Sequence, residues 1–464
     1  MEDSPKDILS PILSKPNIQR QIGFLEDAVK QAKKRVDFAI ANDAEIRRGI
    51  EVVERFLRKK RRVCYGGQAI NSLLSKERKF YDEKYSIPDY DFFTPSYKED
   101  ADELIAELKK EGFDEVHMKY SMHEGTIKIL MNFVPVADCT DMHPSLFKII
   151  QSRAKVVDGI CFTDPEFLRM MMYLELSHPR GEVDRWKKVY ERLVLLNTEY
   201  PPTTCTDPIR VATNVSKEER STMLELVAKR KRVLVGHECI PLMAEFTGRG
   251  LAGTSSTDRG LADRGRESRV SFDRLVSMDG PVIFMSPQAS VDGEDIGDMI
   301  RGLQSGHGKV TVTSEKALYS SLFNFTVVKH MKRPIALIFQ EDSCHSYSTL
   351  HLSNGVAMRT GSFDTILELY YSIHIFGKKE LAFFAMPVAC LINKLHSIEA
   401  RARMRPSEYV PAFAVRCSGH QEGIATLLKK RVKRTELERA EKAAGKTKKG
   451  GRLIRGRRTR RISH

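Results

Sequence analysis

The sequence predicts an α/β (α+β) fold: a mixed sheet with flanking helices, followed by a second α/β unit with a comparable set of strands. Three observations predict it. Arg61-Arg62-Val63-Cys64-Tyr65 reads as a short strand, Gly66-Gly67 breaks it, and Gln68 to Leu74 resumes with helical character. Asp89-Tyr90-Asp91-Phe92-Phe93 then places two carboxylates two residues apart on an apolar strand, so both point to one face. Beyond residue 280, Pro281–Met285, Lys309–Thr313 and Pro334–Phe339 are again strand-like, with helical stretches at Thr365–Ile375 and Ala385–Arg401.

Taken in order, residues 1–17 carry Pro5, Pro11 and Pro16 and read as an extended arm. From Asn17 to Lys59 apolar residues recur at three- and four-residue steps, first Ile22, Leu25, Val29, Ala32 and Val36, then Ile46, Ile50, Val53 and Leu57. That spacing predicts amphipathic helices broken near Asn42-Asp43 and packed on the sheet. Ser75 to Tyr85 is a polar insertion before the acidic strand, and a helix follows from about Lys98 to Lys110. Thr126 to Asp138 is apolar and β-branched, and is expected to end as a strand delivering Asp138 to the rim of the site.

Asp164 to Asn197 is helical around a break at Pro179-Arg180-Gly181, with Phe167, Met170, Met171 and Leu174 on its apolar face. The one tryptophan, Trp186, reads as a packing anchor. Arg185, Lys188 and Arg192 line up on the other face, where they either form a solvated, salt-bridged surface or meet a triphosphate or RNA backbone. Lys231–Val235 and Pro241–Phe246 open the second unit. Thr247–Ser268 is rich in Gly, Ser, Arg and Asp and reads as a mobile loop. The domains expected are thus 1–59 as arm and helices, 60–200 as the catalytic unit, 201–428 as the second unit, and 429–464 as a basic tail.

The net charge of +15 sits mainly in that tail, where Lys429–His464 holds 16 Lys or Arg against three Glu. Such a tail suits a polyanion; RNA binding, nuclear import and packaging would use the same charges. Eight scattered cysteines without a C-x-x-C pair indicate neither zinc nor a disulfide framework. No apolar run reaches the length of a membrane span, and the N-terminus lacks a signal-peptide layout. A cytosolic or nuclear protein is expected.

The chemistry converges on one site. A Gly-Gly turn opening a helix leaves backbone amides free and lets a phosphate approach. Paired carboxylates on one strand face suit hard divalent cations, and a third ligand from a neighbouring strand would complete a two-metal arrangement for phosphoryl-group transfer.

Tyr65-Gly66-Gly67, Asp89-x-Asp91 and Asp138 resemble the DNA polymerase β-type nucleotidyltransferase superfamily. Gly-Gly-Gln-Ala-Ile-Asn, Asp-Tyr-Asp-Phe-Phe and Tyr173–Leu193 are similar, more narrowly, to the poly(A) polymerases of large nucleocytoplasmic DNA viruses. The likeness is specific over about 60–200 and one of overall plan from 230 to 428. The gap between Gly67 and Asp89 is longer than the superfamily's, an insertion that the viral branch accommodates.

The resemblance implies a nucleotidyltransferase sheet followed by a degenerate second nucleotidyltransferase-like domain without catalytic carboxylates. It implies Asp89, Asp91 and Asp138 as catalytic residues and ligands of two Mg2+ (or Mn2+) ions. Gly66, Gly67, Gln68, Asn71, Arg185 and Lys188 would contact the nucleotide, although Gln68 and Asn71 could equally cap backbone groups. ATP and the 3′ end of single-stranded RNA are the implied partners, with a homodimer and no membrane, in the host cytoplasm at the viral factory or packaged in the virion. Two alternatives stay open: a transferase of different nucleotide preference, and a non-catalytic RNA-binding viral subunit. Cys344-His345-Ser346-Tyr347 also resembles a word of that family, to which the sequence assigns no role; its chemistry would permit a Cys–His nucleophile pair.

Overall fold

The computed structural model describes residues 15–122, 124–202, 204–205, 215–247, 271–303, 308–315, 324–377, 388–407, 409–423, 425–437 and 440. The 247–268 loop, all but its first residue, and most of the basic tail lie outside the described residues. The chain forms two compact units. The first comprises Met1–Ser121, Gly125–Asp141 and Val156–Phe162; the second takes Met122–Glu124, Met142–Lys155 and everything from Thr163 onward.

In the first unit, α1 (Lys15–Ala41) and α2 (Ala44–Lys60) meet at Asn42-Asp43, where the Asp43 side chain accepts the Ile46 amide at 2.9 Å and caps α2. α2 buries Ile46, Ile50, Val53, Phe56 and Leu57, one stripe at helical spacing. α1 does not pack in the same way, contrary to expectation. Its Ile22, Leu25, Val29 and Val36 remain about half exposed or more.

The sheet is mixed, in the order β3-β4-β5-β2-β1-β7-β6. Its strands are β1 (Val63–Tyr65), β2 (Tyr90–Thr94), β3 (Val116–Tyr120), β4 (Thr126–Met131), β5 (Val134–Asp141), β6 (Lys155–Val157) and β7 (Ile160–Phe162). β1 runs antiparallel to β2 and parallel to β7, β2 runs parallel to β5, and β5-β4-β3 form an antiparallel meander. Two helices leave the strands of this sheet directly, α3 (Gly66–Leu73) after β1 and α4 (Tyr97–Lys110) after β2. β5 runs on through Asp141, so Asp138 stands in mid-strand and not at the strand end that the sequence suggested.

The second unit holds α5 (Pro144–Arg153), α6 (Pro165–Leu176), α7 (Trp186–Glu199), α8 (Lys217–Lys229), α9 (Cys239–Phe246), α10 (Phe272–Val276), α11 (Ala289–Leu303), α12 (Phe363–Phe376) and α13 (Val388–Met404). Its strands are β8 (Val233–Leu234), β9 (Val282–Ser286), β10 (Val310–Glu315), β11 (Phe325–His330), β12 (Arg333–Gln340), β13 (His345–His351), β14 (Ala357–Gly361) and β15 (Cys417–Ser418). They assemble as β10-β11-β12-β9-β8-β14-β13-β15. Apart from the added β15, this is the order of the first sheet strand for strand. The central pairings keep their senses too: β8 antiparallel to β9 and parallel to β14, β9 parallel to β12, and β12-β11-β10 an antiparallel meander.

The likeness extends to single residues. Arg62 grips Asp100 at 2.6 and 3.1 Å, the Thr94 hydroxyl donates to the same carboxylate, and Lys60 reaches both Asp100 and Glu103. In the second unit Arg232 grips Asp292 at 2.7 and 3.1 Å, Ser286 bonds the same carboxylate, and Arg230 reaches Asp292 and Asp295. Each pair of arginine and aspartate ties the start of the first strand to the helix after the second. Arg61 and Lys231, just before those strands, both adopt left-handed backbone, as do the two-residue turns Asn132-Phe133 and Met331-Lys332 that join β4 to β5 and β11 to β12.

The register decides what the second sheet lacks. Tyr65 faces Asp91 and Asp91 faces Asp138. By the same count Val235, whose amide donates to the Ile283 carbonyl at 3.0 Å, faces Ile283, and Ile283 faces Leu337. Pro281, Ile283 and Leu337 thus stand where Asp89, Asp91 and Asp138 stand in the first sheet.

The cysteines depart from expectation. Cys205 pairs with Cys390 and Cys344 with Cys417, with Cα atoms 5.0 and 5.3 Å apart, while Cys64, Cys139, Cys161 and Cys239 are free and buried. The bond to Cys417 removes Cys344 as a nucleophile. Among the described residues no helix is long and apolar enough to cross a membrane.

Candidate active site

The site is built on one row across the first sheet. Residues directly opposite in adjacent strands share a face, and the register sets Tyr65 (β1), Asp91 (β2), Asp138 (β5), Lys128 (β4) and Lys119 (β3) in a line. Asp89, two residues before Asp91, follows the same alternation, exposed at the head of β2. The neighbouring row is hydroxylic: the Tyr65 hydroxyl lies 2.9 Å from Thr140 Oγ1, which lies 3.0 Å from Thr126 Oγ1. Tyr65 also stacks on Phe93 with ring centroids 4.0 Å apart, which fixes the strand end from which α3 departs.

Gly66 makes the turn from β1 into α3 with φ of +74°, and a Cβ there would lie 2.5 Å from Asp91 Oδ2. Only glycine serves both demands. The Tyr65 side chain does not cap α3, so the first-turn amides at Gly66, Gly67 and Gln68 have no acceptor from it. Gln68 is half-buried on that turn. Asn71 is buried, and its Oδ1 accepts the amides of Phe80 and Tyr81 at 2.9 and 3.0 Å. Of the two roles open to it, this bond serves the backbone of the 75–85 insertion.

Asp138 is 7% exposed. Its Oδ2 bonds the Lys128 ammonium, and its buried Oδ1 has no hydrogen-bond partner. Burial opposes the charge on Lys128, but the bond to Asp138 and the fields of Asp138, Asp89 and Asp91 outweigh it and hold its pKa above the ordinary value. All three aspartates therefore act on one ammonium. Burial, with Asp91 adding to it, raises the Cys64 thiol well above its usual range, so the thiol beside the site stays protonated.

These donors fit a hard divalent cation: carboxylate oxygens on adjacent strands, one of them buried and unsatisfied. Among the described residues, however, no three His, Cys, Asp or Glu side chains are closed around one point. The Asp138 carboxylate is turned to Lys128 instead. Sequence reading missed Lys128, although a lysine inside the apolar run Thr126-Ile-Lys-Ile-Leu-Met was the available signal.

Residues 51–182 match the family model described as poly(A) polymerase catalytic subunit. The matched span contains the whole row from Tyr65 to Lys128 and Asp138. Proteins described as poly(A) polymerase catalytic subunits are similar to this chain in African swine fever virus (strain Badajoz 1971 Vero-adapted), at 32% identity over 167 residues and 35% of each chain. The mimivirus of Acanthamoeba polyphaga has another, at 30% identity over 182 residues, 38% of this chain and 31% of the relative. The chain thus spans about a third of the length of the curated relatives it matches. The crystal structure of the Megavirus polyadenylate synthase superposes with a TM-score of 0.70 at 17% identity, covering 92% of this chain and 84% of that one. That likeness extends the shared fold over both units. The matched family and the structural neighbour are enzymes.

The remaining site candidates lie in the second unit. Arg185 is engaged by Glu175 at 3.0 Å and Glu182 at 3.2 Å, and Lys188 follows it in the first turn of α7. Trp186 Nε1 donates to the Glu175 carbonyl at 3.1 Å, the act of a packing anchor. The Tyr173 hydroxyl, within the matched span, donates to Glu399 at 3.0 Å beside Arg403, which also holds Asp364 at 2.6 Å. The word around Cys344 meets another at Ser177-His178. Ser343 Oγ lies 3.2 Å from His178 Nε2 and 2.9 Å from His345 Nε2, and the Ser346 amide donates to the Ser177 carbonyl at 2.8 Å. Burial pushes His178 down to about 4 and His345 well below its usual value, so both rings are neutral anchors.

Proposed function

We propose that this chain is a template-independent polynucleotide adenylyltransferase that adds a poly(A) tail to the 3′-hydroxyl of viral mRNA by nucleotidyl transfer from ATP. One observation carries the reading: Asp91 and Asp138 stand side by side on parallel strands, and Asp91 lies against the Gly66 turn into α3. The match of residues 51–182 to the catalytic-subunit family supports it.

In this reading Asp89, Asp91 and Asp138 would hold two Mg2+ or Mn2+ ions. Bound there, such ions neutralise charge on the transferring phosphate and lower the pKa of the attacking hydroxyl. Asp138, with its unsatisfied buried oxygen, orients the RNA 3′ end for in-line attack on the α-phosphorus. The Gly66 and Gly67 amides at the head of α3 receive the β- and γ-phosphates of the leaving pyrophosphate. Gln68 stands on the same turn, within reach of the nucleotide. Tyr65, stacked on Phe93 and bonded to Thr140, keeps that turn in place.

A homodimer belongs to the proposal. α1 exposes Ile22, Leu25, Val29 and Val36 at steps of three, four and seven residues, with β-branched residues and Leu in the pattern of a two-stranded coiled coil. Sedimentation of the full chain against Leu25→Glu/Val29→Glu tests it, and a monomeric wild type ends it.

The activity is tested by primer extension, using a labelled single-stranded RNA, Mg2+ and each nucleoside triphosphate separately. Long ladders with ATP alone, absent from Asp89→Ala/Asp91→Ala, are expected. Extension by all four nucleotides keeps the transferase and removes its adenylate specificity. RNA bound but never extended by the wild type points to a non-catalytic RNA-binding subunit.

A further inference from the structure

Lys128 is unexplained by the reaction as proposed so far. It stands on β4 directly opposite Asp138, its ammonium bonds Asp138 Oδ2, and its charge is held by Asp89 and Asp91 as well. Its side chain is 39% exposed while that of Asp138 is 10% exposed, so it reaches into the acidic row from the solvent side. On its other side, in β3, the facing residue is Lys119. Three carboxylates on one face repel one another, and the Lys128 ammonium, bonded to Asp138 and within the field of Asp89 and Asp91, offsets part of that repulsion.

We propose that Lys128 is a positioning residue that stands in for a divalent cation at Asp138 in the nucleotide-free enzyme and is displaced when cation and triphosphate arrive together. The inference rests on the two-metal reading above. A lysine ammonium and a divalent cation compete for the same oxygen, so Lys128 lowers the affinity of the empty site for metal alone. The triphosphate reverses the balance. It brings its own negative charge, and the released ammonium, flanked by Lys119, is free to pair with a phosphate. The exchange makes metal occupancy depend on nucleotide: ions are held when ATP is present and shed when pyrophosphate leaves. A lysine serving only the packing of β4 would not couple the two.

The test is direct Mn2+ binding, read by electron paramagnetic resonance of the free ion on the full chain, with and without a non-hydrolysable ATP analogue. Wild type, Lys128→Met, Lys128→Gln, Lys128→Arg and Asp138→Asn are compared, each first confirmed folded by circular dichroism. Without nucleotide, Lys128→Met and Lys128→Gln are expected to bind Mn2+ about tenfold tighter than wild type, the scale of removing one nearby positive charge. Lys128→Arg, which keeps the charge, is expected to bind like wild type. With the analogue present, the neutral variants are expected to lose that advantage and to bind the analogue itself more weakly. Equal or weaker Mn2+ binding by both neutral variants, with Asp138-dependent binding in the wild type, overturns the exchange and leaves the metal site standing. Absence of Mn2+ binding in every variant, analogue included, overturns both.

Discussion

At Gly66 two demands fall on one residue: a left-handed backbone and an Asp91 oxygen 2.5 Å from where a Cβ would be. Gly66→Ala is expected to cost about 1–2 kcal/mol in backbone strain alone. Because the new methyl would push on Asp91, kcat in primer extension should fall at least about 100-fold while far-UV circular dichroism is kept, a figure of the order found when one transition-state hydrogen bond is removed. Asp138→Asn retains shape and removes charge; kcat should drop about 10³-fold or more with little change in the melting temperature. Glu368, buried in α12, offers a test away from the site. Burial pushes its carboxyl up to about 8 against an ordinary 4.5. The folded state keeps a proton that the unfolded chain has already released, so this group's contribution is whole below pH 4.5 and is lost as the pH rises toward 8. Urea unfolding at about pH 5 and pH 8.5 should show Glu368→Gln relatively more stable at the higher pH, up to about 1.4 kcal/mol per unit crossed. The aspartates were legible because a period of two on an apolar strand has one structural meaning. Lys128 was not, because only the register between β4 and β5 sets it opposite Asp138, and register is a non-local property.

Among the elements, the pairs Arg62–Asp100 and Arg232–Asp292 make the sharpest contrast. Asp100 and Asp292 are both almost fully buried, yet Asp292 is held by two arginines and Asp100 by one arginine and a lysine 3.6 Å away. Arg62→Met should therefore cost about 3–5 kcal/mol, since it leaves a buried carboxylate largely unpaired. Arg232→Met should cost less because Arg230 remains. Chemical denaturation of both variants checks the order, and Arg62→Met/Asp100→Leu should recover part of the loss. Strands flanked by turn residues, and helices with a clean apolar stripe such as α2 and α4, were readable from sequence. α11 was not. Its Gly293 and Gly297 look like helix breakers, but a Cβ at Gly293 would come within 2.6 Å of Thr326 and one at Gly297 within 3.0 Å of Val312. Close packing on β10 and β11 overrides helix propensity there.

For the whole molecule, the repeated strand order shows why the second unit was harder to read than the first. Its topology is the same, but Pro281, Ile283 and Leu337 leave no polar signature in the apolar strands that carry them. The paired cysteines were equally hidden, because 185 and 73 residues separate the partners and neither spacing forms a motif. Charge distribution was legible at once, and it yields a prediction at this scale. Removing Lys429–His464 takes away 16 basic residues against three acidic ones. RNA affinity should fall, and the slope of log K against log salt should flatten by about 0.7 for each phosphate no longer neutralised, with extension of saturating primer retained. Fluorescence anisotropy at several salt concentrations measures the affinity and the slope, and an unchanged slope would show that the tail does not meet the RNA backbone.

The route of the chain between its two units also sets an order of events during synthesis. The first sheet cannot be completed until β7 has left the ribosome, because β1 pairs with it across almost a hundred residues. By then α5 has been made, and α5 belongs to the other unit, where Leu146, Phe147 and Ile150 are buried and the helix packs against α12. Translation at ordinary speed needs about 10–40 s to reach Phe363 from there. For that interval an apolar helix inserted between two strands of a finished sheet has its eventual neighbour not yet in existence, so the nascent chain offers chaperones a binding segment over one defined range of lengths.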